Sequence, residues 1–308
     1  MHLPSLKQLR YLVALAEHRH FGRAAAACYI SQSTLSAGLK ELETALDAEL
    51  VERNNRTVVF TPLGLEVVAR AKRVLREAED LAELAAGSRA PLSGRLRLGI
   101  IPTIAPYLLP KTLPALRKAY PKLQLYLTED QTARLLAQLE DGAIDLVLLA
   151  LPYQAGDVET LPLFKDGFHL VCRKDHPLAQ KKTIGLADLK DANLLLLAEG
   201  HCLRDHALAA CRLSETDSGF AGASLNTLVE MVAGGLGVTL LPDMAVATHV
   251  PKGGELVARP FDRGASGKTG AGRQIGLAWR TTSSRAAEFQ ELGAALTKAA
   301  KTAGIAGT

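Results

Sequence analysis

The residues best suited to chemistry lie in one run, Glu199-Gly200-His201-Cys202-Leu203-Arg204-Asp205-His206-Ala207-Leu208-Ala209-Ala210-Cys211. A reactive cysteine works as a thiolate, and helix N-termini and neighbouring cations favour that form. Cys202 follows a glycine at an apparent helix start, beside His201 and near Arg204. A thiolate that attacks a peroxide becomes a sulfenic acid, which a second thiol can resolve to a disulfide. Blander readings compete. A cysteine on an apolar helix is usually core packing, the expectation for Cys28 and Cys172. Zinc binding by His201, Cys202, His206 and Cys211 fits helical geometry poorly, because Cys202 and His206 share a face that Cys211 does not, and the spacing matches no usual zinc pattern.

Geometry constrains the pair further. On an unbroken helix, the Cα atoms of Cys202 and Cys211 lie about 13.5 Å apart, on opposite faces. A disulfide needs Cα atoms within about 7 Å. Any bond between these two sulfurs therefore requires the segment to unwind.

The elements that must position these groups follow from periodicity. Beyond Arg95, strands are expected at 96–101, 123–128, 146–151, 169–173, 194–198, 238–241 and 275–279, with helices at 132–139, 203–213 and 225–233 between them. This alternation reads as α/β architecture with at least partly parallel sheets. The glycine-rich stretch 263–272 reads as a loop. Residues 65–86 lack Gly and Pro and form a helix about 30 Å long. Its stripe of Val67, Ala71, Val74, Ala78, Leu81 and Ala85 suits either a coiled-coil-like dimer seam or packing on its own domain. A linker reading is favoured by the Gly- and Pro-containing stretch at 87–94.

The first 60 residues read as helices followed by a hairpin. Leu6, Leu9, Val13 and Ala16 keep helical spacing, as do Leu35, Leu39, Leu42 and Leu46, with Ser31 as a fair N-cap. If the second stripe is buried, Ser33, Thr34, Ser36 and Lys40 point outward and Gln32 leads the helix, an arrangement suited to phosphates and base edges. No acid lies between Phe21 and Lys40, and Arg53 and Arg56 could clamp a flanking backbone as a wing. Electrostatics alone is undecided, since residues 1–64 carry seven Lys or Arg against six Asp or Glu. A small helical packing domain would show the same periodicity.

Resemblance decides between these readings. Ala24-Ala25-Ala26-Ala27-Cys28-Tyr29-Ile30-Ser31-Gln32-Ser33-Thr34-Leu35-Ser36 resembles the helix-turn-helix of LysR-type transcriptional regulators, as do Leu50-Val51-Glu52-Arg53-Asn54-Asn55-Arg56 and Phe60-Thr61-Pro62-Leu63-Gly64. The likeness covers essentially the whole chain. It implies an all-α winged helix-turn-helix domain at 1–64, a linker and dimerisation helix at 65–90, and an α/β regulatory domain at 91–308. That domain would have two Rossmann-like lobes, similar to periplasmic binding proteins. Ser33 stands where many relatives have proline, a departure that bears on operator preference rather than on fold.

The run from Glu199 to Cys211 closely resembles the redox segment of the family's peroxide-responsive members. That likeness implies that Cys202 is the peroxidatic cysteine and Cys211 the resolving one, and that their disulfide remodels the regulatory domain and the oligomer. It also implies peroxide-binding roles for Thr103 in Gly99-Ile100-Ile101-Pro102-Thr103, Thr132 in Asp130-Gln131-Thr132, His201, and Arg273 in Arg273-Gln274-Ile275-Gly276-Leu277. Either threonine would serve equally as a helix cap. The implied partners are double-stranded promoter DNA, hydrogen peroxide, further copies of the chain in a dimer of dimers, RNA polymerase and a thiol–disulfide reductant, with no cofactor.

Composition is compatible with this assignment. The 308 residues suit two domains, and 36 basic against 32 acidic side chains give a formal charge of +4, too mild to prove nucleic-acid binding. No secretory h-region and no apolar run of membrane-spanning length is visible, so a cytosolic protein with reduced thiols is expected. Three rivals remain: a regulator of this family that binds a small organic effector without redox switching, a thiol peroxidase, and a solute-binding protein. The cysteine pair argues against the first. The DNA-binding head is unexplained by the other two.

Overall fold

The computed structural model describes residues 3–53, 58–85, 92–153, 156–189, 192–211, 218–262 and 271–305. They fall into two compact units, Met1–Arg89 and Ala90–Thr308. Among the described residues no helix is long and apolar enough to cross a membrane.

The first unit opens with α1 (Leu6–His18), started by Ser5 in a reciprocal capping box with Gln8. Helices α2 (Phe21–Ala27) and α3 (Gln32–Leu46) follow, and the Ser31 hydroxyl accepts the Thr34 N–H at 3.1 Å to cap α3. The buried Ala24 and Ala25 let α2 sit close to its neighbours, and Leu35, Leu39 and Leu42 are buried, each contributing roughly 1.5–3 kcal/mol. A short antiparallel hairpin, β1 (Val51–Arg53) and β2 (Val58–Phe60), leads into α4 (Pro62–Ala85). The side chain of Arg53 and the whole of Arg56 lie outside the described residues.

The stripe expected along α4 is divided by the structure. Ala71 is buried with Val68 in the core of the first unit, and Val67 and Leu75 pack partly against it. Val74 and Leu81 remain exposed. The first turns of the helix are thus occupied by α1, which periodicity alone could not separate from a dimer seam. Of the expected 65–86 helix, Ala86 lies outside the described residues.

The second unit is built twice from the same plan. In the first lobe, β3 (Gly94–Ile100), α5 (Ala105–Ala119), β4 (Leu123–Glu129), α6 (Thr132–Glu140) and β5 (Leu146–Leu151) form a parallel sheet in the order β4-β3-β5. The chain then enters β6 (Val158–Arg173), a strand of 16 residues that crosses to the second lobe. There, β7 (Leu194–Leu197), α7 (Cys202–Cys211), β8 (Ser218–Gly222), α8 (Leu225–Ala233) and β9 (Val238–Pro242) give the equivalent parallel order β8-β7-β9. Helix α9 (Asp243–His249) and β10 (Leu256–Pro260) follow. Strand β11 (Gly272–Arg280) returns to the first lobe antiparallel to β5 and β6, and α10 (Ala286–Thr302) closes the unit.

Two local facts explain where periodicity misled. Only residues 169–173, the end of β6, were expected as a strand. Its first half contains Pro162, which cannot donate to a ladder, and the register against β11 slips at that point, between Ile275 and Gly276. The strands β8 and β10 also escaped, being only five residues each, the first with two glycines and the second ending in proline. The helix expected at 203–213 begins one residue earlier, at Cys202, and is described to Cys211. Most of the expected 263–272 loop lies outside the described residues.

Gly64 supplies a test of the junction between wing and α4. A Cβ built on it would lie 2.0 Å from the Leu50 carbonyl oxygen, while Thr61 bridges the same place by accepting the Gly64 N–H and donating to Glu49 O. Helix propensity alone makes Gly64→Ala stabilising by about 1 kcal/mol. The collision with backbone wins, and the variant is expected to lose about 1–3 kcal/mol in denaturant unfolding followed by circular dichroism. A neutral or stabilised variant would show that this junction yields freely.

Candidate redox site and DNA-reading face

Open α/β sheets gather functional groups at the carboxyl ends of their parallel strands. Thr103 follows β3, Thr132 follows β4, Pro152 follows β5, and His201 and Cys202 follow β7. Cys202 is the first residue of α7 and is buried as a free thiol, and Thr132 is the first residue of α6. The entrances of these two helices touch. Gly200, at φ +89°, has the Gln131 side chain so close that an added Cβ would lie 2.8 Å from Gln131 Oε1. The positive φ favours glycine there.

Neither threonine is a helix cap. The N-cap of α6 is Gln131 and that of α5 is Ile104, and neither cap uses its side chain. The Thr132 hydroxyl is buried with no hydrogen-bond partner among the described residues. A hydroxyl so placed has its donor and acceptor capacity uncommitted, which costs free energy unless something meets it.

Thr103 belongs to a different network. Arg273, at the start of β11, donates from Nη1 to Thr103 Oγ1 at 2.7 Å and from Nη2 to the Thr103 carbonyl at 2.8 Å. Its Nε donates to Asp166 Oδ2 at 2.9 Å, and both charged side chains are fully shielded from solvent. Asp166 also accepts the Met244 N–H at 3.1 Å at the start of α9. Burial pushes the Asp166 carboxyl up, and the adjacent Arg273 charge opposes this. Because Thr103 Oγ1 accepts from Arg273, its own hydrogen is left free to donate elsewhere. Arg273 thus acts through Thr103 rather than as a free cation.

His201 is half-buried, and burial holds its imidazole below the ordinary histidine range. Next to Cys202, burial thus favours the uncharged form of this ring. The Cys211 side chain lies outside the described residues, although its backbone completes α7. Cys172 is fully buried in the core of the second unit and Cys28 packs partly in that of the first, with burial pushing both thiols up. Packing is their role.

Two residues tied to the site escaped sequence reasoning: Asp166 and Met244. Asp166 did carry a signal, since an acid within Phe164-Lys165-Asp166-Gly167-Phe168 must be paired if the strand is buried.

In the first unit, Gln32, Ser33, Thr34, Ser36 and Lys40 are all exposed on α3, as the burial of its leucines requires. The Ser33 and Thr34 hydroxyls lie 2.9 and 2.8 Å from the capping Ser31 Oγ, so they are partly engaged in holding the helix start. Gln32 and Lys40 carry no such tie among the hydrogen bonds described. Tyr29, in the left-handed region at φ 58° and 90% exposed, projects from the turn before α3.

Comparison with known proteins places both units. Residues 6–65 match the description "Bacterial regulatory helix-turn-helix protein, lysR family" and residues 89–301 match "LysR substrate binding domain". A probable hydrogen peroxide-inducible genes activator from Streptomyces viridosporus is 48% identical over 303 residues, 96% of this chain and 94% of that protein. The DNA-binding transcriptional dual regulator OxyR of Escherichia coli K12 is 42% identical over 297 residues, 95% and 94% of the two chains. The HTH-type transcriptional regulator EstR of Acinetobacter baylyi is 48% identical over 252 residues, 81% and 83%. Among solved structures, a full-length OxyR cysteine variant from Pseudomonas aeruginosa superposes with a TM-score of 0.77 at 39% identity, covering 96% of this chain and 98% of that one. A hydrogen-peroxide-bound OxyR cysteine variant from Corynebacterium glutamicum gives 0.67 at 40%, covering 98% and 94%. With both of its units matched and its relatives aligned along nearly their full length, the chain belongs to the LysR family of bacterial helix-turn-helix regulators.

Proposed function

We propose that this regulator binds promoter DNA and is activated by hydrogen peroxide through Cys202, which then forms a disulfide with Cys211. The carrying observation is the convergence of the buried Cys202 thiol at the head of α7 with the touching entrance of α6, where the Thr132 hydroxyl has no partner among the described residues. Peroxide-responsive relatives at 42–48% identity support the same reading.

In this scheme Thr103, Thr132 and His201 hold the peroxide, and Arg273 contributes through its bond to Thr103. The Cys202 sulfur attacks one oxygen as the O–O bond breaks, and the departing oxygen takes a proton and leaves as water. The Thr132 hydroxyl and the Thr103 hydroxyl, polarised by Arg273, donate to the oxygens as charge develops. Neutral His201 accepts or relays the proton. The sulfenic acid on Cys202 then condenses with the Cys211 thiol, an S–S bond replacing the S–O bond with loss of a second water. Because α7 is helical from Cys202 to Cys211, that bond remodels the segment. The change repositions DNA-binding heads (1–64), carried on linker helices (65–90), through the regulatory domains (91–308) of a dimer of dimers. A cytosolic setting, RNA polymerase as the transcriptional partner and a thiol–disulfide reductant that resets the switch complete the reading.

Mass-spectrometric thiol accounting after one equivalent of hydrogen peroxide is expected to show a Cys202–Cys211 linkage, with Cys28 and Cys172 still free. Slow, indiscriminate oxidation of all four would leave a family member that answers to a small organic effector instead. Thr103→Val and Thr132→Val should each slow Cys202 oxidation by about tenfold or more while leaving the fold intact. Wild-type rates in both would remove the threonines from the site. On DNA, Lys40→Ala should weaken binding similarly across sequences and reduce the salt slope by about one, whereas Gln32→Ala should cost about 1–3 kcal/mol at a single base pair and relax selectivity there. Gln32, Ser33, Thr34, Ser36, Lys40, Arg53 and Arg56 form the proposed DNA contact set, and footprinting of these variants checks it.

A further inference from the structure

Helix α7 is tied to the first lobe by one polar contact that the proposed chemistry does not use. His206 lies one turn beyond Cys202 on the same helix face. Its Nε2 stands 3.2 Å from the carbonyl oxygen of Pro152, the residue that follows β5. The Cys202 carbonyl also faces the ring, and Arg273 is near enough to act on it electrostatically. Nδ1 is shielded from solvent and makes no hydrogen bond of good geometry. Burial holds the imidazole below the ordinary histidine range, so the ring is neutral with a single N–H. Two acceptors compete for that hydrogen, and the Pro152 carbonyl is the one in good geometry.

We propose that His206 is a positioning residue for the redox switch, its bond to the Pro152 carbonyl bridging the two lobes and keeping α7 helical until the disulfide forms. The inference rests on the reading that Cys202 and Cys211 join. In that step the Cys202 sulfenic acid and the Cys211 thiol form an S–S bond, the S–O bond breaks and water leaves. The two Cα atoms start about 13.5 Å apart on the helix, and His206 lies between them in the chain. An unwinding that brings the ends together displaces the residue between them, so the tie to Pro152 must break before or during the second step. The first step, at Cys202 alone, needs no such movement.

Full-length protein carrying His206→Ala or His206→Gln tests this, the glutamine offering an amide N–H of similar reach. In the reduced state, hydrogen exchange across α7 should accelerate about three- to tenfold in H206A, the effect of losing one ordinary hydrogen bond, and return towards the parent rate in H206Q. After peroxide, disulfide formation followed by quenched mass spectrometry should accelerate by a similar factor in H206A. Sulfenic-acid formation, read by nucleophile trapping in a Cys211→Ser background, should stay within about twofold. Unchanged α7 exchange, or an unaltered disulfide step, overturns the proposal. A collapse of the first step overturns it too, by placing His206 in the thiol chemistry. If the parent forms no Cys202–Cys211 bond while H206A still loosens α7, the reading of the thiols has failed, and the switching role falls with it although the tie is real.

Discussion

Arg273 and Asp166 sit directly opposite each other on β11 and β6, and neither side chain reaches solvent. The pair lies where β6 stops pairing with β11 and begins pairing with β9, the crossing point between the lobes. Taking two charges out of water is costly, and removing one partner of such a pair costs about 3–5 kcal/mol, because the other is left buried and alone. Both ends of the ion pair are therefore satisfied by fixed groups: Thr103 in the first lobe and the start of α9 in the second. One ionic contact thus sets the β3–α5 turn, the crossing strand and the entry of α9 relative to each other. Thr103 is delivered to the site with its hydroxyl already oriented.

Beside this buried pair, α7 is the element that the proposed disulfide would have to remodel. A helix from Cys202 to Cys211 holds its end residues apart by construction, and no side-chain rotation can join them. Its apolar residues Leu203, Ala207 and Leu208 are buried in the second unit, so the helical state is held by packing. A covalent bond between its ends is a large local bias that packing must yield to. The proposed switch is thus a contest between burial of one short helix and one disulfide.

The DNA-reading end depends on simpler physics. Three buried leucines rotate α3 so that Gln32, Ser36 and Lys40 face outward, while Ser31 holds the helix start. Charge is nearly balanced in residues 1–64, so the net field of this unit is weak.

Much of this was legible from residue order, and the exceptions share a cause. Stripes at 35, 39 and 42 gave α3, alternating apolar runs gave most of the strands, and helical spacing gave most of α7. These are short-range features, set by helical and strand periods that act within a few residues. The first half of β6 was hidden by Pro162, tolerable there only because the partner strand shifts register beside it. The division of the α4 stripe between α1 and solvent was equally hidden, since both faces are apolar. So were the Asp166–Arg273 pair, separated by 107 residues, and the His206–Pro152 contact, separated by 54. The sequence by itself determined the family and the order of most of the elements. Only the tertiary structure decided that Arg273 is buried between Thr103 and Asp166, that the Thr132 hydroxyl has no partner among the described residues and that His201 is half-buried. Hydrogen-bond partners and burial arise from segments far apart in the chain, and no local pattern encodes which of them will meet.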